Sequence, residues 1–154
     1  MSTPDTLWKP HVTVAAVIED SGRFLLIEEE TEHGLRFNQP AGHLDPGESL
    51  SAAVRRETLE ETAHHFEPRA LVGIYRHPIE PGGPTYLRFA FSGTLGAREP
   101  RRLLDTGIVR TVWMTADELK ETAARHRTPL VLRCVEDYLA GMRYPLELLK
   151  EEQA

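Results

Sequence analysis

The stretch GHLDPGESLSAAVRRETLEETA, Gly42–Ala63, is the one whose reading decides the fold. Asp45-Pro46-Gly47 is a turn signal, so a helix is expected to begin just beyond it. At about 100° per residue, Leu50, Ala53 and Val54 share one face. Glu57, Glu60 and Glu61 continue that apolar stripe and do not occupy the opposite, solvated side. Like charges one turn apart disfavour a helix by roughly 0.2–0.5 kcal/mol, so three glutamates within five residues need a reason outside the helix. One reading is a charged surface helix relieved by Arg55 and Arg56. The other starts from the stripe: carboxylates converging on an apolar face either protonate or gather a cation. Oxygen donors without a thiolate or imidazole suit a hard ion, Mg²⁺ with Mn²⁺ as a substitute.

Outward from the helix the pattern turns to strands. HVTVAAVIE (His11–Glu19) is β-branched and apolar, and RFLLIEEE follows the Ser21–Gly22 turn, which predicts a hairpin. LRFNQPAGHL is a short extended segment, since Pro40 resists helix. RALVGIYRHPI, TYLRFAFSGTL and GIVRTVWM read as three further strands, the first two joined by the loop Pro81–Pro84. Thr115 with Glu118 three residues later is a capping-box pattern, and a last helix is expected over Leu130–Gly141. The mixture predicts an α/β (α+β) layered domain with a mixed β-sheet.

The 154 residues suit one domain, expected as a tail over 1–10, a single domain over 11–148 and a charged tail over 149–154. No apolar run reaches bilayer length, and the N-terminus lacks a signal-peptide pattern. With one cysteine, Cys134, a cytoplasmic location is the expectation. A net charge of −6 argues against nucleic acid as a partner but allows a small anion that brings or finds a cation. Whether the chain is a monomer or a homodimer is left open.

Gly42, Glu48, Arg56, Glu57, Glu60 and Glu61 fall at the spacing of the Nudix box, and the chain is identified as resembling the Nudix hydrolase family. KPHVTVA, FNQPAGHL, YLRF and RYPLE further resemble the NudJ-type bacterial Nudix phosphatases. Three positions depart from the box: Thr58 and His64 stand where aliphatic residues are usual, and Ala63 replaces a glycine. Glycine at that point allows a left-handed helix end, so the helix is expected either to run on through Ala-His-His-Phe or to end differently.

The resemblance implies a Nudix fold, a sheet sandwiched between helices with a loop-helix-loop catalytic motif, and hydrolysis of a phosphoanhydride in a small phosphorylated substrate. It implies Glu57, Glu61 and then Glu60 as metal ligands, one of them also acting on the attacking water, with the Gly42 carbonyl as a backbone ligand. Arg56 is implied to fix a glutamate rotamer, and Glu48 to support it. Asp105 is the candidate for an additional loop acid, or else a turn residue beside Gly107. On the substrate side, Arg88 in mid-strand needs an anionic partner, either a phosphate or a structural carboxylate. Phe37 and Tyr75 either stack a base or fill the core, and His43 is placed to reach phosphates. His11 faces the cleft or caps its strand, while His64 and His65 are read as structural. NudJ-like chemistry implies nucleoside di- and triphosphates and hydroxymethylpyrimidine pyrophosphate as substrates, with orthophosphate released. The alternatives are a hydrolase of nucleotide sugars, ADP-ribose or dinucleoside polyphosphates, and a non-catalytic nucleotide sensor.

Overall fold

The computed structural model describes residues 7–152; the first six residues of the expected N-terminal tail and the last two of the expected C-terminal tail lie outside the described residues. Strand β1 (His11–Val17) is buried on both faces over its last five residues, and this property organises the chain. Val14 and Ala16 point into one apolar cluster and Val17 into another, as alternation along a strand requires. A strand of this kind belongs inside a sheet. It is flanked by β5 (Ala41–His43), antiparallel, and β7 (Thr85–Arg98), parallel. With β6 (His64–Pro78) and β9 (Tyr144–Pro145) these form a five-stranded mixed sheet in the order β5-β1-β7-β6-β9. A second, antiparallel sheet is built on β3 (Arg23–Thr31), which pairs with β2 (Glu19–Asp20), β4 (Gly34–Asn38) and β8 (Ile108–Thr115).

Helix α1 (Leu50–Thr62) covers one face of the mixed sheet: Ala53 and Val54 pack with Val14, Ala16, Ile18, Leu71 and Phe91. On the other face Val17, Val72 and Ala90 meet Phe24 and Leu26 of β3 and Val131, Cys134 and Val135 of α3 (Leu130–Leu139). The sheet between helices is therefore as expected. Burying each large aliphatic side chain in these layers contributes about 1.5–3 kcal/mol. The short α2 (Ala116–Glu121) carries the expected capping box, Thr115 accepting from the Glu118 N–H and Glu118 from the Thr115 N–H. The loop Pro81–Pro84 joins β6 to β7, closed by the Ile79 N–H on the Pro84 carbonyl at 3.0 Å.

One expectation needs correction. Across the turn at Ser21 (φ 52°) and Gly22 (φ 78°) only β2 pairs with β3, while His11–Val17 lies in the other sheet. The physical reason is the double-sided apolarity of β1, which a two-stranded hairpin cannot cover but two flanking strands and two apolar layers can. At the other end, Leu149 packs against the α1-side cluster, and the Glu151 carboxylate accepts the Leu50 N–H at 2.8 Å. A carboxylate there satisfies a first-turn donor and complements the helix dipole.

A second correction concerns the end of α1, which neither runs on nor ends differently for want of a glycine but stops at the usual place. Ala63 adopts the left-handed conformation (φ 62°), its N–H on the Leu59 carbonyl at 2.9 Å, and β6 begins at the next residue. Holding an alanine there costs about 1–2 kcal/mol. Thr58, the other departure inside the helix, is 0% exposed, and its Oγ1 has no hydrogen-bond partner among the described residues. Replacing it by the isosteric valine removes an unsatisfied buried hydroxyl. Thr58→Val is expected to raise the unfolding free energy by about 1–2 kcal/mol, read as a higher urea midpoint at unchanged slope. An unchanged or lower midpoint would show the hydroxyl to be satisfied.

Candidate metal centre and substrate cleft

The site begins where edge strand β5 meets α1. At Gly42 there is no room for a methyl group: a Cβ there would lie 2.1 Å from Cδ of Glu57 and 2.2 Å from its Oε1. Gly42 thus forms the wall against which the Glu57 carboxylate rests, and a side chain at this position displaces it.

Arg56 holds the acids around it. Its Nε and Nη2 donate to the two carboxylate oxygens of Glu48 at 2.7 and 2.9 Å, a bidentate pair. Nη1 donates to Glu57 at 2.8 Å and Glu60 at 3.2 Å, and Nη2 reaches the His43 carbonyl at 3.0 Å. Glu48 also accepts the Asp45 N–H at 3.1 Å, and the Arg56 guanidinium with this bond holds its carboxyl below the usual carboxylate range. The structure thereby brings together Gly42, Glu48, Arg56, Glu57 and Glu60.

Carboxylate oxygens of Glu57, Glu60 and Asp105 lie within 4.8 Å of one another. Asp105 comes from the β7–β8 loop, where its N–H donates to the Glu60 carbonyl at 2.9 Å and its own carbonyl accepts the Ile108 N–H at 3.1 Å beside Gly107 (φ 95°). It is both a turn residue and a member of the acid cluster. Glu61 stands apart from this trio. Only 6% exposed, it accepts the Ala41 N–H at 2.7 Å, because its place on the wheel aims it at the β5 backbone. Burial pushes Glu57 up to about 7 against the pull of Arg56, and pushes Glu61 up to about 9 against the pull of the Ala41 N–H. For Glu57 desolvation outweighs the pull of Arg56, and Glu61 has only a backbone N–H to offset its burial.

The substrate-side residues divide. Arg88 is 6% exposed, and its Nη atoms donate to Gln39 Oε1 and Asn38 Oδ1, both at 3.0 Å, with Cys134 Sγ at 4.0 Å. These partners are neutral amides and a thiol, so the structural ion pair expected as one reading of Arg88 is not formed among the described residues. Phe37 is 2% exposed in the core with the Arg125 guanidinium 4.5 Å from its ring centroid, which removes it as a base-stacking surface. Tyr75 donates its hydroxyl to Asp137 at 2.7 Å. His43 lies against His11 and Tyr86 in an aromatic cluster, and burial, then His11 and Arg127, lower its pKa. Asn38, Gln39 and Tyr86 are not singled out by the sequence. Their signal is the pairing of strands, invisible along one chain. His64 donates through Nδ1–H to the Gly96 carbonyl at 3.1 Å, and His65 pairs with Glu99.

The model of the NUDIX domain family matches residues 9–134, and the chain belongs to that family as a phosphohydrolase. Within it, the chain is similar to the phosphatase NudJ of Escherichia coli K12, 38% identical over 143 residues, which are 93% of this chain and 92% of that one. A solved NUDIX hydrolase from Nitrosomonas europaea is 54% identical with a TM-score of 0.90, covering 94% of this chain and 98% of its own. The NUDIX domain of Shewanella oneidensis NrtR, solved with ADP ribose, shares the fold at a TM-score of 0.70 and 16% identity, over 91% and 93% of the two chains. Among the described residues no helix is long and apolar enough to cross a membrane.

Gly42→Ala is expected to lower kcat/KM about a hundredfold, the effect of displacing a site group by an ångström, with circular dichroism unchanged. Retained activity would show that Glu57 need not rest against Gly42. In metal-free protein the sign of the pH dependence follows from the raised carboxyls. Between their ordinary 4.5 and the folded values of about 7 and 9, the folded state binds the extra protons. The stability they contribute is complete below pH 4.5 and is lost as pH rises through 7 and 9. In chelator, Tm is expected to fall from about pH 5 to about pH 9, and Glu61→Gln to flatten the upper part of that fall. Glu48, lowered by Arg56, and Glu28 of β3, lowered by Arg110 and Arg125 to which it is bonded, change stability only at acid pH and leave this window alone.

Proposed function

We propose that the chain is a Mg²⁺-dependent Nudix phosphohydrolase of nucleoside di- and triphosphates and related pyrophosphates such as hydroxymethylpyrimidine pyrophosphate, releasing orthophosphate. The observation that carries this reading is the trio of hard oxygen donors, Glu57, Glu60 and Asp105, within 4.8 Å of one another. The donor set fits the ion: carboxylates, two of them from one helix turn, with Glu57 packed against the bare Cα of Gly42. Glu57, Glu60 and Asp105 would hold it, with the Gly42 carbonyl as a further ligand, and Glu61, one oxygen of which accepts the Ala41 N–H, would join through its other oxygen. A bound Mg²⁺ supplies charge neutralisation for the phosphates and acidifies a coordinated water.

The protein's own contribution is positioning. Arg56 keeps Glu57 and Glu60 in one orientation and ties them to the His43 backbone, so a substrate meets acids that do not have to be ordered on arrival. Glu48 orients Arg56 in turn. Arg88 has only neutral partners and leaves a buried guanidinium without a carboxylate on the sheet face opposite α1. NudJ names a phosphatase, and the similarity over nearly the whole chain supports the same class of reaction here.

Two measurements test this. Glu57→Gln is expected to lower kcat at least about 1,000-fold with the fold intact, and orthophosphate should appear from nucleoside di- and triphosphates without added pyrophosphatase. Millimolar Mg²⁺ is expected to raise Tm, more at about pH 8 than at about pH 6, because the carboxylates must ionise to bind it. Release of phosphate only after added pyrophosphatase would show that a triphosphate loses pyrophosphate in one piece and overturn release of orthophosphate, and cleavage confined to linked dinucleotides or nucleotide sugars would move the substrate class. An unshifted Tm would remove the metal site.

A further inference from the structure

Three strands of the mixed sheet place a set of side chains on one face, the one turned away from α1 and its acids. Thr13 of β1 stands opposite His43 of β5 on one side and Arg88 of β7 on the other. In the neighbouring row on the same face, His11 stands opposite Tyr86. Paired residues in a sheet project to the same side, and so do residues two apart along a strand. The rings of His11, His43 and Tyr86 consequently meet: centroids are 5.6 Å apart for His11–His43, 5.5 Å for His11–Tyr86 and 6.1 Å for His43–Tyr86. The ring planes are inclined at 71°, 48° and 59°, so no pair stacks face to face. His11 and His43 are exposed and Tyr86 half-buried.

This cluster is joined to the acid site by the shortest path a strand allows. Gly42 faces Glu57, and the next residue, His43, leaves the opposite face of β5 while its carbonyl accepts from Arg56. Because β5 is the edge strand of its sheet, a flexible chain of phosphates can round that edge from one face to the other. On the far side the buried Arg88 ends the row with a guanidinium that has only neutral partners.

We propose that His11, His43 and Tyr86 form a stacking platform for an uncharged heteroaromatic ring on the diphosphate substrate, with the ring's carbonyl edge directed at Arg88. The assignment rests on the phosphohydrolase reading for the substrate's diphosphate but not for the ring. Faces of π-systems accept any base, so the platform selects ring-bearing substrates over bare polyphosphates more than one base over another. Neither Phe37 nor Tyr75 can serve, the one being in the core and the other bonded to Asp137.

The test compares two non-hydrolysable probes in the presence of Mg²⁺, uridine 5′-methylenediphosphonate and methylenediphosphonate alone. The platform requires upfield ring-current shifts of the His11 and His43 imidazole protons with the first probe and none with the second. Tyr86→Leu is expected to weaken binding of the uridine probe about tenfold while leaving that of methylenediphosphonate unchanged, and Tyr86→Phe to restore it. Equal shifts with both probes, no shift with either, or equal weakening of both by Tyr86→Leu overturns the platform. The hydrolase reading fails separately: ring-selective shifts in a protein that turns over no diphosphate would leave the platform standing and remove the catalysis.

Discussion

A single guanidinium sets the geometry of the site. Arg56 divides its donors among Glu48, Glu57, Glu60 and the His43 carbonyl, with the Asp45 carboxylate 3.4 Å from its Nε. Without a cation at that point, carboxylates this close repel one another, and the cheaper outcome is protonation or splaying of the rotamers. Paired buried or half-buried charges of this kind contribute little net stability, since desolvation offsets the attraction. What they contribute is a unique arrangement. The turn before α1, the strand β5 and the acidic half of α1 all converge on this one side chain, so the loop-helix unit is held as a piece.

The edge position of β5 extends that constraint into the rest of the molecule. One short strand supplies, in consecutive residues, the N–H that Glu61 takes, the bare Cα against which Glu57 lies, and the imidazole and carbonyl of His43. Strand alternation then separates the two activities by face: acids toward the helix, rings and Arg88 toward the second sheet. A single strand register therefore fixes both, and a slip of one residue would exchange Gly42 for a side chain and aim His43 at the acids.

Local signals are legible in the sequence where the physics is local. Asp45-Pro46-Gly47 marks the approach to α1, whose N-cap Ser49 accepts the Ala52 N–H, and Thr115 with Glu118 caps α2 as the spacing implies. The helical wheel also finds the acidic stripe, but not which of its members meets Asp105. That depends on the Ala41 N–H claiming Glu61, a contact between residues 20 apart in the chain. The Ser21–Gly22 turn is legible as a turn, whereas the partners it joins are not, since the pairing of β1 with β7 is set by an element from the second half of the chain. Phe37 and Tyr86 escape a sequence reading for the same reason: whether a strand aromatic is core or surface is decided by what packs over it.

The left-handed end of α1 has an evolutionary corollary. The carbonyls of Glu60 and Ala63, which a helix end leaves without partners, are taken by the N–H groups of Asp105 and Glu99. The loop that carries Asp105 is thus pinned at two points to the helix that carries Glu57 and Glu60, while Arg101 and Leu103 between the pins are exposed. Insertions and substitutions can accumulate between those pins without moving the acid. Tolerance to sequence change is thereby uneven along the loop, high at its exposed crest and low at the acid it delivers to Glu60.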